Sequence, residues 1–224
     1  MKNSILLIAI LFTSISTFAQ LRGSGKTITK TFDYQNFNKV NFDDFDGKLE
    51  IEVGKPFSIS ITIDDNLVNL LTLIENAKDK RLTIALKGNR NNNMYIEDTK
   101  INVKITLPYL TEVTNNGNSG LNVTNINSKN FKSENPVNGS TNLSGIVDNL
   151  EVICRGNGNL YAERLITKNA KITCRGNGNA KVNAADDIVA IVSGNGNIIN
   201  VGNATFSADS KTSGNGSLNG KKNN

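Results

Sequence analysis

The chain has 224 residues, 38% hydrophobic and 20% charged, with a formal charge of +5 and no histidine. The missing histidine excludes imidazole general bases, Ser-His-Asp triads and His-ligated metals, so any catalysis would rest on carboxylates or lysines. Lys and Arg are scattered singly, with no basic run of five, which argues against nucleic-acid binding.

The start of the chain reads as a targeting segment over residues 1–19. Lys2 supplies the positive end, residues 5–12 are apolar, and Thr17 and Ala19 sit where a signal peptidase reads, so cleavage is expected between Ala19 and Gln20. The apolar run is too short for a membrane span, which needs about 20 residues. No cysteine stands at the cleavage point to carry a lipid anchor. The mature chain is expected in the periplasm, at the outer-membrane surface or secreted, with no transmembrane segment.

Residues 20–110 read as an N-terminal β region, made of further β coils or a small sheet. Leu49, Ile51 and Val53 alternate with Lys48, Glu50 and Glu52, and Phe57, Ile59, Ile61 and Ile63 continue the period of two that marks half-buried strands. Gly54-Lys55-Pro56 supplies the turn between them. Over 64–77, Leu67, Leu70, Leu71 and Ile74 fall at helical spacing behind Asp64 and Asp65, which predicts a short helix or an irregular loop. Strands are expected again at 81–86 and 101–107. Residues 88–93 form a polar excursion expected to be a mobile loop.

Residues 111–224 are organised by a repeated phrase: Gly156-Asn157-Gly158-Asn159, Gly176-Asn177-Gly178-Asn179, Gly194-Asn195-Gly196-Asn197 and Gly214-Asn215-Gly216-Ser217. The first glycines stand 20, 18 and 20 residues apart. Aligned on them, Cys154, Cys174, Val192 and Thr212 form one column, Val152, Ile172, Ala190 and Ser210 a second, and Leu160, Ala180, Ile198 and Leu218 a third. Degenerate copies surround Gly117, Gly120 and Gly139. A fixed period near 20 residues predicts an all-β right-handed parallel β-helix, a solenoid whose coils stack at ~4.8 Å and build apolar ladders. This repeat region is expected to be continuous with residues 20–110. Glycine at each corner reaches φ > 0 without strain, and asparagine can form amide ladders up the stack. The polar last coil suits an exposed end.

Several residues are candidate sites. Cys154 and Cys174 share a column on neighbouring coils, so they could form a disulfide or fill the column as two buried thiols. Arg155 and Arg175 would then point outward, one above the other, as a possible anion contact. The glycine phrases lack the helix and the Lys-Ser/Thr of a phosphate loop, and they lack the aspartates of calcium-binding repeats. Asp43, Asp44 and Asp46 form only a fragment of a calcium loop, and Asp186-Asp187 reads as a polar corner. No cofactor, metal or catalytic residue is expected.

The order of elements resembles a known family, the putative auto-transporter adhesins with a head GIN domain, over about residues 31–218. The resemblance rests on Phe37-Asn38-Lys39-Val40, on the run from Gly47 to Gly54, on Ile59 to Ile63, Asp65-Asn66-Leu67 and Leu82-Thr83-Ile84, and on the run from Val103 to Leu110, followed by the glycine phrases. The chain departs from the family in using Asn where Ser or Asp is usual. The resemblance implies a β-helical, surface-associated, non-enzymatic domain whose partner is a glycan, a protein or another copy of the chain. Two further roles fit the residues: a polysaccharide-cleaving β-helix, which would need clustered carboxylates or Lys and Arg near Asp, and an envelope scaffold offering a coil edge. The absence of Trp counts against sugar-stacking platforms.

Overall fold

A computed structural model describes residues 19–87 and 94–220; the expected signal segment up to residue 18 and the polar excursion at 88–93 lie outside these. The protein is all-β. In chain order the strands are β1 (Ala19–Arg22), β2 (Thr27–Phe32), β3 (Lys39–Asp43), β4 (Lys48–Val53), β5 (Ser58–Asp64), β6 (Leu71–Asn76), β7 (Arg81–Leu86), β8 (Met94–Glu97), β9 (Asn102–Leu107) and β10 (Glu112–Asn116). Four long strands follow: β11 (Gly120–Asn135), β12 (Ser140–Gly156), β13 (Leu160–Gly176) and β14 (Ala180–Gly194). Three short ones end the chain: β15 (Ile198–Asn200), β16 (Lys211–Ser213) and β17 (Leu218–Asn219). The described residues contain no α-helix.

The long strands pair in parallel, each with its successor in the repeat. Cys154 faces Cys174, which faces Val192, which faces Thr212. Leu160 faces Ala180, then Ile198, then Leu218. These are the columns that alignment on the glycines produces. The pairing also runs back across residue 110. β10 lies between β3 and β11, and β4 lies between β9 and β11. One inward row therefore runs Val103, Leu49, Leu121, Thr141, Leu160, Ala180, Ile198. All seven are buried. Each large aliphatic side chain in such a row contributes roughly 1.5–3 kcal/mol of burial. Phe37, Phe42 and Phe45 fill the N-terminal end of the core, whereas Ala162, Ala180, Ala184 and Ala190 line the later repeats, so the core narrows along the chain.

The sheet is mixed: the repeats pair in parallel, and the antiparallel strands all lie in the N-terminal β region. β5 runs antiparallel to both β2 and β9, and β6 runs antiparallel to β7. These strands cover the open edge at the N-terminal end of the stack. The outermost of them, β2, carries Thr27, Thr29, Lys30 and Thr31 among its residues, a polar edge that discourages further pairing.

The short helix or irregular loop expected over 64–77 is replaced by more regular structure. The segment holds one 3-10 turn, Val68–Leu70, and then β6. Leu71 and Leu73 pair with Leu86 and Ile84 of β7 and pack on the core, while Ile74 points to solvent. An exposed Ile74 beside inward leucines disguised a period of two as helical spacing. Asp64 is not a helix cap. It is fully buried, and its carboxylate accepts hydrogen bonds from the backbone N–H groups of Gly25 at 2.8 Å and Lys100 at 2.6 Å. It thereby ties the approach to β2 to the approach to β9.

Candidate functional site

The Gly-Asn corners are built by close approach. Gly156, Gly176, Gly194 and Gly214 all have positive φ, between 89° and 134°. The second glycine of the phrase is required for a different reason: a Cβ on Gly178 would overlap the carbonyl oxygen of Gly158 in the corner below. Two rows of side chains stack on these corners. In the first, Asn138, Asn157, Asn177, Asn195 and Asn215 each donate an amide N–H to the asparagine one repeat earlier, at 3.3, 2.9, 2.8, 2.8 and 3.1 Å. In the second, the Oδ1 atoms of Asn159, Asn179 and Asn197 accept the backbone N–H of the residue one repeat later, at 2.8, 2.9 and 3.0 Å. Asparagine in place of serine or aspartate thus serves the corner itself.

Cys154 and Cys174 stand face to face in register, both buried and both free thiols. The Cys154 thiol is pushed well above the ordinary cysteine range by its hydrogen bond to Cys174 and by burial. The same column continues backwards as Asn135 and is joined through β10 by Asn115, both buried. Asn115 donates to the Ser119 carbonyl at 3.0 Å, and Asn135 accepts from the Thr141 hydroxyl at 2.8 Å. Arg155 and Arg175 also face each other in register, exposed on the outside, and neither makes an ion pair among the described residues. Asp43 sits at the end of β3 and its carboxylate accepts from the Asn116 amide. Among the described residues there is no group of three or more His, Cys, Asp or Glu arranged to hold a metal ion.

A second corner of the repeats bears a groove of about 640 Å³. Two outward rows wall it. The first is a row of opposite charges: Lys39, Glu112, Lys132, Glu151 and Lys171 follow one another on adjacent strands. The alternation of sign avoids the repulsion that like charges directly opposite one another would meet. The second row lies two residues earlier along the strands. Asn149 donates to Asn130 at 2.9 Å and Asn169 donates to Asn149 at 3.0 Å, and Asp187 stands opposite Asn169. Phe131, Leu150 and Ala170 lie between the rows, and Tyr109, 43% exposed, also lines the groove. From the layer of Glu112 to that of Val189 the groove crosses four strand spacings, about 19 Å.

The charges in the groove are unevenly satisfied. Glu112 is paired with Arg81 at 3.0 Å, and Lys39 with Asp79. Lys132 is paired with Glu134; that hydrogen bond, together with the Glu134, Glu112 and Glu151 charges, holds its ammonium above the usual lysine range. Glu151, Lys171 and Asp187 have no ion-pair partner among the described residues. The groove was missed in the sequence, yet a signal for it is present: Asn130-Phe131-Lys132, Asn149-Leu150-Glu151 and Asn169-Ala170-Lys171 repeat one pattern upstream of the glycines. Arg155 and Arg175 do not line this groove.

These features define an all-β protein whose repeats turn on stacked Gly-Asn corners and leave a polar groove along one flank. The chain belongs to the family described as putative auto-transporter adhesin, head GIN domain, whose model matches residues 36–204. A crystal structure of a putative adhesin from Bacteroides fragilis is similar, with 21% identity and a TM-score of 0.69, covering 90% of this chain and all of that one. A crystal structure of a putative lipid binding protein from Parabacteroides distasonis is similar with 20% identity and a TM-score of 0.55, covering 91% of this chain and all of that one. No curated protein matches the chain.

Proposed function

We propose that this is an exported, non-enzymatic, adhesin-like protein, built as a β-helix over residues 111–218 that is continuous with the N-terminal β region, and that it holds a surface ligand on its flank. The observation that carries the reading is the groove, walled by amides and by charges of both signs, of which Glu151, Lys171 and Asp187 remain free to meet a partner. Membership of a family described as adhesins supports it. The signal segment at 1–19 supports export, and the described residues contain no helix long and apolar enough to cross a membrane.

The polysaccharide-cleaving alternative draws on the carboxylates of Glu151 and Asp187 in the same groove. Glu112 stands in the groove as well, two strand spacings from Glu151, about 10 Å between backbones, while Glu151 and Asp187 are about 12 Å apart. Binding is the better reading because the family is described as adhesins. The test is attachment of the purified chain from Gln20 onward to bacterial surfaces, immobilised glycans and matrix proteins, alongside assays for reducing-sugar or unsaturated-product release. Attachment without release is the expected result; release would restore the enzyme, and absence of both would remove the adhesin reading.

A further inference from the structure

We propose that the groove is a lane for a linear, uncharged glycan lying along the stacking direction, with one sugar unit to each layer of strands. The proposal deepens the surface-binding reading above and rests on it.

Three observations lead to it. The groove is periodic along its length: each central layer presents one amide and one charged side chain, on either side of a buried apolar residue, and then repeats at the strand spacing of ~4.8 Å. That step is close to the length of one pyranose unit. It does not match a peptide in extended form, whose side chains on one face recur at about 6.6–6.8 Å, so a peptide laid along the lane would drift out of step.

The second observation is charge. The charges of the lane that have no ion-pair partner among the described residues are of both signs, with Lys171 on the strand between those of Glu151 and Asp187. A polyanion would meet the carboxylates and a polycation the ammonium groups, so neither gains along the whole length. A chain of hydroxyl groups, each both donor and acceptor, meets a useful partner at every layer. The third observation is the amide row. Each ladder bond uses one N–H of one asparagine and the Oδ1 of its neighbour; Asn149 spends its second N–H on the Lys129 carbonyl at 3.5 Å, which leaves the other N–H of Asn169 and a second lone pair on each Oδ1 for a ligand. Tyr109 at the first-layer end offers an exposed aromatic face, whereas Phe131 is buried beneath the lane.

The test is a titration of the isotope-labelled chain from Gln20 onward, followed by NMR and calorimetry. The ligands are neutral gluco-, xylo- and manno-oligosaccharides, with polygalacturonate and chitosan as charged controls. A neutral chain is expected to bind with an affinity that salt does not change, and to shift the amide signals of Asn149, Asn169 and Lys171. Lys171→Ala and Glu151→Ala alter side chains outside the core and should each weaken binding about tenfold, the effect of removing one hydrogen bond to a charged group. Arg175→Ala, outside the groove, should leave it unchanged. Binding of charged chains only, shifts elsewhere on the surface, or indifference to the groove variants would overturn the proposal. If no neutral chain binds while the protein still attaches to cell surfaces, the glycan lane falls and the adhesin reading stands; if attachment is absent too, both fall.

Discussion

Replacing Gly178 by alanine isolates the close approach that builds the Gly-Asn corner. A methyl group there would overlap the Gly158 carbonyl oxygen and press on the backbone carbon of Asn157, so the corner must lift off the one below. Forcing an extra carbon into a packed site costs roughly 1–3 kcal/mol. The shift also strains the hydrogen bond from the Gly178 N–H to the Gly156 carbonyl at 3.2 Å and that from the Asn179 N–H to Asn159 at 2.8 Å, each contributing about 1 kcal/mol. A loss of about 3 kcal/mol is expected. In a chain of this length that lowers the melting temperature by about 6–12 °C. Two companion variants separate space from conformation. Gly120 has open space and no positive φ, so Gly120→Ala should be neutral or stabilising by up to about 1 kcal/mol. Gly54 also has open space but a φ of +88°, so Gly54→Ala should cost about 1–2 kcal/mol from backbone strain alone. Urea unfolding followed by circular dichroism measures all three. Gly178→Ala and Gly120→Ala having equal stability would refute the stacked-corner account.

Asp64→Ala leaves the backbone N–H groups of Gly25 and Lys100 without their buried acceptor and should cost about 2–3 kcal/mol by the same assay. Asn179→Ala uncovers the backbone N–H of Asn197 and should cost about 1 kcal/mol, more than Asn177→Ala, which removes side-chain bonds only. The native thiols of Cys154 and Cys174 should resist alkylation at mildly alkaline pH and react in denaturant; no reactive thiol in non-reducing denaturant would show that the column is cross-linked. Because the folded Cys154 pKa is raised, the unfolded chain releases that proton first. The stability linked to Cys154 is therefore complete below about pH 8.5 and declines above it, and a flat stability profile through that range would contradict the linkage.

Much of the stack can be read from the sequence because glycine, asparagine and inward residues recur in one frame. The pairings of Cys154 with Cys174 and of Leu160 with Ala180 follow from that frame directly. The earlier copies are harder to align for a physical reason: Asn115 and Asn135 replace apolar residues in the inner column, where their amides donate to carbonyls and Asn135 accepts from Thr141, contacts that only the folded chain provides. The antiparallel edges are equally hidden, since the alternation of Ile59, Ile61 and Ile63 is the same whichever way β5 runs. The groove is hard to read from the sequence because its rows lie upstream of the glycines and combine side chains from strands up to five spacings apart.

Calorimetric titration with neutral oligosaccharides of increasing length tests the central claim most directly. A lane with one unit per layer predicts that affinity strengthens with each added sugar until about 19 Å is filled, and then levels off. Equal affinity for a disaccharide and a long chain, or no binding at any length, would contradict it.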